Sequence, residues 1–233
     1  MTAVATRRTP KLPAILALLA GTTDVTSWVL LGGLFTAHVT GNLVLVAADI
    51  VTGDPPHLAA VLALPVFIVT TIAATAVARK LADRSDQTKY ILLGVQAVLL
   101  VVAAGLSFAG RASANPQSGL ALTIGLFAVC AMATQNAYLH LASPKAPSTA
   151  VMTGNLVVAT IAAFDLLISK GKSEEAWNRW KDSWPLLAGF ILGCLLGATA
   201  ATVFGDHAAV VPAVIAVIVL SAVVGRRKRT ISV

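Results

Sequence analysis

The sequence predicts an all-α integral membrane protein: six transmembrane helices plus two re-entrant or broken half-helices, arranged as a three-plus-three inverted repeat. Three observations carry that expectation. Of 233 residues, 57% are apolar and only 12% charged, with a mean hydropathy of +0.84, against roughly 45–50% and about 25% in globular domains. Apolar runs close to the roughly 20 residues that cross a bilayer core recur along the whole chain. A short polar signal is written twice, TAHVTGN from Thr36 to Asn42 and TAVMTGN from Thr149 to Asn155, 113 positions apart in the same register.

Taken in order, residues 1–12 read as a cytoplasmic tail. The stretch RRTPKLPAILALLAG resembles a signal peptide, with a basic head before an apolar run. Spans continue through the rest of the chain, so an uncleaved first helix at about 13–31 is predicted. Further full spans are expected at about 58–78, 90–109, 119–141, 185–204 and 208–225. Two shorter apolar segments, about 42–52 and 155–168, follow the repeated signal. Membrane repeat 1 is then 13–110, membrane repeat 2 is 111–225, and 226–233 form a basic cytoplasmic tail.

Lys and Arg collect on the cytoplasmic side of membrane proteins. If the two short segments enter and leave on one face, both termini are cytoplasmic and every one of the 17 basic residues except Arg111 lies inside. If both segments crossed, the loop carrying Arg79 to Lys89 and also Lys145 would move outside, a poorer fit. The basic residues carry no aromatic-interleaved face, so the net charge of +7 reads as a topology signal and no nucleic acid is expected as a partner. In KGKSEEAWNRWKDSWP, Trp177, Trp180 and Trp184 recur at spacings of three and four, which predicts a cytoplasmic interfacial helix with its aromatic face at the headgroups.

Each half reads as span, TGN segment, span, span. Three crossings per half is an odd number, so the second half sits upside down relative to the first, a pattern that places transporter binding sites at the midplane between repeats. Gly32 and Gly33 suit a non-helical re-entry. The TGN elements would meet near mid-membrane, and Thr before Gly-Asn suits a helix start, where a side-chain oxygen can accept from free N–H groups. Two helix N-termini aimed at one spot favour an anion or a solute that accepts hydrogen bonds. Thr40, Gly41, Asn42, Thr153, Gly154 and Asn155 are therefore the expected substrate-binding residues.

The halves differ where charge is concerned. Asp24 lies in the first span, and an ionisable group at that depth marks a functional site. Its counterpart in the ungapped register is Ala137, and that of His38 is Val151. Asp24 and His38 are the expected proton-coupling pair, since His titrates near neutrality and a buried Asp can be raised toward it. Gln135 and Asn136 would orient the solute or bind helices together. Asp49 and Asp165 fall at the far ends of the half-helices. Gly189, Gly193 and Gly197 form a ladder that permits close helix approach, within the chain or between copies, which keeps a homo-oligomer in view.

Cys130 and Cys194 lie in predicted spans as small apolar residues, and His57, His140 and His207 have no metal spacing, so neither a metal nor a cofactor is expected. No Walker A, HExxH or GxGxxG occurs. GLSFAG around Ser107, with His207 far along the chain, has Phe where an intramembrane protease motif wants Gly, so no catalytic residues and no enzyme are expected.

The residues AGTTDVTSWVLLGGLFTAHVTGN resemble the opening of the YoaK-like family of uncharacterised integral membrane proteins, with an Asp in the first span and an Ala-His-x-Thr-Gly-Asn signature. TQNAYLHL and STAVMTGN resemble its second half, although Asn155 makes the second element stricter than the resemblance leads one to expect. The resemblance implies a multi-pass protein of the bacterial inner membrane and no particular substrate. The expected work is movement of a small polar or anionic solute, with proton coupling or as a channel. The rival is a non-transporting membrane scaffold or sensor.

Overall fold

All secondary structure among the described residues, 11–81, 85–142 and 152–231 of a computed structural model, is helical. Eight α-helices follow one another: α1 Lys11–Leu30, α2 Gly41–Thr52, α3 Leu58–Lys80, α4 Ser85–Leu106, α5 Gly119–Ala142, α6 Met152–Ile168, α7 Glu174–Phe204 and α8 Val210–Ile231. The expected N-terminal tail up to Pro10 and the expected re-entry from Ser143 to Val151 lie outside the described residues. Arg226 to Arg229 fall in the last turns of α8.

Five continuous helical stretches are long and apolar enough to cross a membrane: Leu12–Leu30, Leu58–Lys80, Gln87–Leu106, Gly119–Leu141 and Glu174–Gly225. The last, 52 residues long, contains α7 and α8 with a 3-10 turn at Gly205–Ala209 between them. Large apolar side chains such as Val69, Ile72, Leu195 and Ile218 point outward, which water would disfavour and acyl chains accept. The chain is an all-helical membrane protein.

Both short segments form helices, and they differ in length. The 12 residues of α2 rise about 18 Å and the 17 of α6 about 26 Å at 1.5 Å per residue, against a hydrocarbon core of about 30 Å. Between α1 and α2 the chain turns back at Gly32 and Gly33, whose φ of 70° and 88° is a left-handed conformation that a side chain would strain.

Close approach is concentrated between α1 and α7, the most extensive helix pairing. A Cβ placed on Gly189, Gly193 or Gly197 would lie 2.3, 2.1 and 2.8 Å from the carbonyl oxygens of Ala14, Leu18 and Thr22. On the facing helix, Gly21 meets the Phe190 carbonyl in the same way. The glycine ladder thus packs within the chain. Elsewhere α3 packs on α5, α4 on α5 and α8, α6 on α7, and α2 on α3. The interior is rich in alanine, as expected where packing between spans replaces the hydrophobic drive.

The tryptophan segment differs from expectation. It is the N-terminal extension of α7, continuous with the span and passing through Pro185. Ser173 caps it, its hydroxyl accepting from the Ala176 amide, and Glu174 and Glu175 occupy the first turn, where the helix dipole favours negative charge. At 31 residues α7 is about 46 Å long, well beyond a hydrocarbon core. Trp180 and Trp184 stack at 5.1 Å and Lys181 lies over Trp177 at 4.8 Å.

Candidate functional site

Asp24 stands in α1, six residues before the helix ends at Leu30. Its carboxylate reaches across to the loop that precedes α2. Oδ1 accepts from the Thr36 amide at 2.8 Å, the Thr36 hydroxyl at 3.0 Å and the Ala37 amide at 2.7 Å. Oδ2 accepts from the His38 amide at 3.3 Å and lies 2.6 Å from His38 Nδ1. This explains how a carboxylate can be 3% exposed in a span: successive loop amides form the concave donor set that binds anions, and here the anion is the chain's own. The amides ahead of α2 are therefore already committed, which a free anion at this tip would have to contest.

With so many donors on the carboxylate, the proton of the Asp24–His38 contact belongs on Nδ1. Nε2 of His38 is buried and has no partner among the described residues. The ring packs edge-on against Phe190 of α7 at 4.9 Å. A buried imidazole nitrogen left open is unusual, because such groups are nearly always satisfied.

Asn42 and Gly41 serve the same loop. Asn42, fully buried, takes both backbone groups of Phe35: its Oδ1 accepts from the amide at 3.0 Å and its Nδ2 donates to the carbonyl at 2.7 Å. A Cβ on Gly41 would lie 2.7 Å from the Phe35 ring, so glycine makes room for it. Phe35 in turn lies 4.8 Å from Trp28. Thr40 is exposed and makes no side-chain cap, so the expected helix-capping role falls away. Asn42→Ala would strand a buried N–H and C=O, at about 1–3 kcal/mol for each such group. A lowered thermal midpoint in detergent checks this, and Asn42→Asp, which keeps the acceptor, should fall less.

The second signal lies inside its helix instead of before it, because α6 begins at Met152. Its exposure pattern repeats that of the first: Thr153 exposed, Gly154 partly covered, Asn155 buried. Asp165, at the far end of α6, pairs with Arg179 of α7 at 2.6 Å.

Gln135 and Asn136 divide between two roles. Gln135 joins three helices: its Oε1 accepts from Gln96 of α4 at 2.7 Å and its Nε2 donates to the Leu16 carbonyl of α1 at 3.0 Å. Gln96 has no signature in sequence beyond being an amide in a span. Asn136 donates to the Met132 carbonyl in its own helix at 3.0 Å, while its Oδ1 is buried without a partner. Ser107 donates to the Ala104 carbonyl and His207 stacks on Phe108 at 4.3 Å, so among the described residues no hydrogen bond joins Ser107 to His207.

In the α7–α8 turn, Asp206 accepts from the Ser113 amide at 2.8 Å and lies 3.7 Å from Arg111. The Ser113 amide is the chief reason its carboxyl is held below the usual range. Among the described residues no group of three or more His, Cys, Asp or Glu is placed to hold a metal.

No curated protein and no solved structure matches this chain significantly. One family does, over residues 12–222, from the second residue of α1 into α8 and across both TGN elements. The chain belongs to that family, described as "Protein of unknown function (DUF1275)".

Proposed function

We propose that this protein is a six-span carrier of the bacterial inner membrane that moves a small polar or anionic solute together with a proton held by His38 on Asp24. The observation that carries the reading is the buried Asp24–His38 contact of 2.6 Å with Nε2 left open, seated at the tip of a helix about 18 Å long. Asp24 stays ionised among its donors and His38 takes and gives up the proton, so the pair changes net charge without moving the loop.

Two further features support the architecture. Dividing Glu174–Gly225 at its 3-10 turn yields six spans with α2 and α6 as half-helices, the count that leaves only Arg111 among the basic residues outside and both termini cytoplasmic. If repeat 1 is exchanged with repeat 2, α1 against α7 becomes α5 against α3, and both pairings occur. In this reading His38 and Asn136 present the open polar atoms to the solute, Thr153, Gly154 and Asn155 supply the second helix tip, and Gln135 and Asn42 hold the frame.

The test uses proteoliposomes with an internal pH dye, screened against small carboxylates, amino acids and polyols. At least one solute should drive proton entry, and His38→Gln should cut that rate at least about tenfold, the scale of removing one positioned proton-transfer group, with its melting midpoint little changed. Proton-independent flux in wild type would favour a channel. No flux with any solute would sink the proposal in favour of the scaffold, a reading helped by the exposed Trp177 and Trp184 on the extension of α7.

A further inference from the structure

A cavity of about 20 Å³ lies between α1, α4, α5 and the turn before α8. Its polar wall consists of Thr23, Thr26 and Ser27 on one face of α1, Ser107 after α4 and Asp206 of the turn. A cavity needs roughly 10–15 Å³ on this measure to admit a water, so the space suits a guest the size of one atom and excludes a metabolite.

The wall has a definite chemistry. Thr23 Oγ1 donates to the Leu19 carbonyl at 2.8 Å, Thr26 Oγ1 to the Thr22 carbonyl at 2.9 Å, and Ser107 Oγ to the Ala104 carbonyl at 2.6 Å. A hydroxyl has one proton and two lone pairs. With the protons turned back into their own helices, these three oxygens can offer only lone pairs. Ser27 is 6% exposed and its hydroxyl has no hydrogen-bond partner among the described residues, so a fourth oxygen is open. Asp206 contributes negative charge at the edge. Every group around the space is electron-rich, which repels an anion and welcomes a cation.

We infer that this cavity binds one dehydrated alkali-metal ion, sodium or potassium, through the hydroxyl oxygens of Thr23, Thr26, Ser27 and Ser107 with Asp206 balancing its charge. Hard cations are held by oxygen ligands, and neutral hydroxyls with a single carboxylate match a single positive charge. The ion explains why Ser27 is buried without a partner. The inference does not depend on solute transport, since a scaffold could hold the same ion for stability.

The experiment is thermal unfolding of the full chain in detergent at constant ionic strength, titrating sodium chloride or potassium chloride against choline chloride. The midpoint should rise with one of the two metal ions and saturate. The rise should reach about 5–10 °C at a hundredfold excess over the half-effect concentration, and the two salts show which ion the site prefers. Ser107→Ala and Thr26→Val should each weaken the half-effect concentration at least about tenfold, and Gly94→Ala, which faces open space, should leave it unchanged. Equal midpoints in all three salts would mean the cavity holds only water and would overturn the inference. So would an ion response that survives both substitutions. If both variants fail to fold, the wild-type comparison of metal ions with choline still decides.

Discussion

Gly193→Ala should lower the unfolding midpoint by about 5–10 °C, the largest effect expected from adding a single methyl group to this chain. The new Cβ would lie 2.1 Å from the Leu18 carbonyl oxygen. A side chain in that place could rotate away, but a backbone oxygen inside a helix cannot, so α1 and α7 must separate. Overpacking of this kind costs about 1–3 kcal/mol, occasionally more, and about 2–4 °C follows each kcal/mol in a chain of this size. Separation also disturbs the neighbouring contacts, since Gly189 and Gly197 meet Ala14 and Thr22 in the same ladder. Gly105→Ala is the control: it sits in a helix with nothing near its absent Cβ, and alanine should be neutral or stabilise by up to about 1 kcal/mol. Melting curves of both variants in one detergent check the contrast. Equal midpoints would show that the ladder does not bear on α1.

Asp24→Ala should be comparably damaging for an electrostatic reason. The carboxylate is the acceptor for the Thr36 and Ala37 amides, the Thr36 hydroxyl and His38. Alanine leaves these buried donors facing a void, and loss of one member of such a pair costs about 3–5 kcal/mol. Asp24→Asn keeps one oxygen for Thr36 and Ala37, and its amide can donate to His38 once that ring shifts its proton to Nε2. It should cost about 1–2 kcal/mol. The expected order of stability is wild type, then Asn, then Ala, read from unfolding midpoints. In the proton assay Asp24→Asn should fail as His38→Gln does, because the neutral amide no longer stabilises a protonated ring. An Ala variant as stable as wild type would mean that the loop amides find other partners and that Asp24 is free for another task.

Helix limits were legible to within a few residues because apolar length and flanking polarity are local properties. The 58–78 expectation and α3 at Leu58–Lys80 agree for that reason. The tryptophan segment was read as separate because its polar composition and Pro185 looked like a boundary. Ser173 instead starts one helix that runs through the proline, which stands close enough to the headgroup end for a lost backbone bond to be tolerated. Of the site, Asp24 and His38 stood out as polar groups at depth, and so did the two TGN signals. The roles inside the signal did not. Asn42 and Gly41 both answer to Phe35, a residue that looked merely apolar. Nothing in the spelling of Thr23, Thr26 and Ser27 marked them beyond their neighbour Asp24.

By itself the sequence determined the solvent this chain lives in, the places where its helices start and stop, and the two points where a polar signal interrupts them. Those follow from composition and spacing over windows of about 20 residues. Tertiary structure alone decided what each polar group faces. Asp24 meets the amides 12 to 14 positions along the chain, Gln135 the carbonyl of Leu16, and the glycine ladder the backbone of α1. In a lipid-like interior no unpaired donor can turn to water, so partners are set by which helices pack together, and that depends on shapes far apart in the chain.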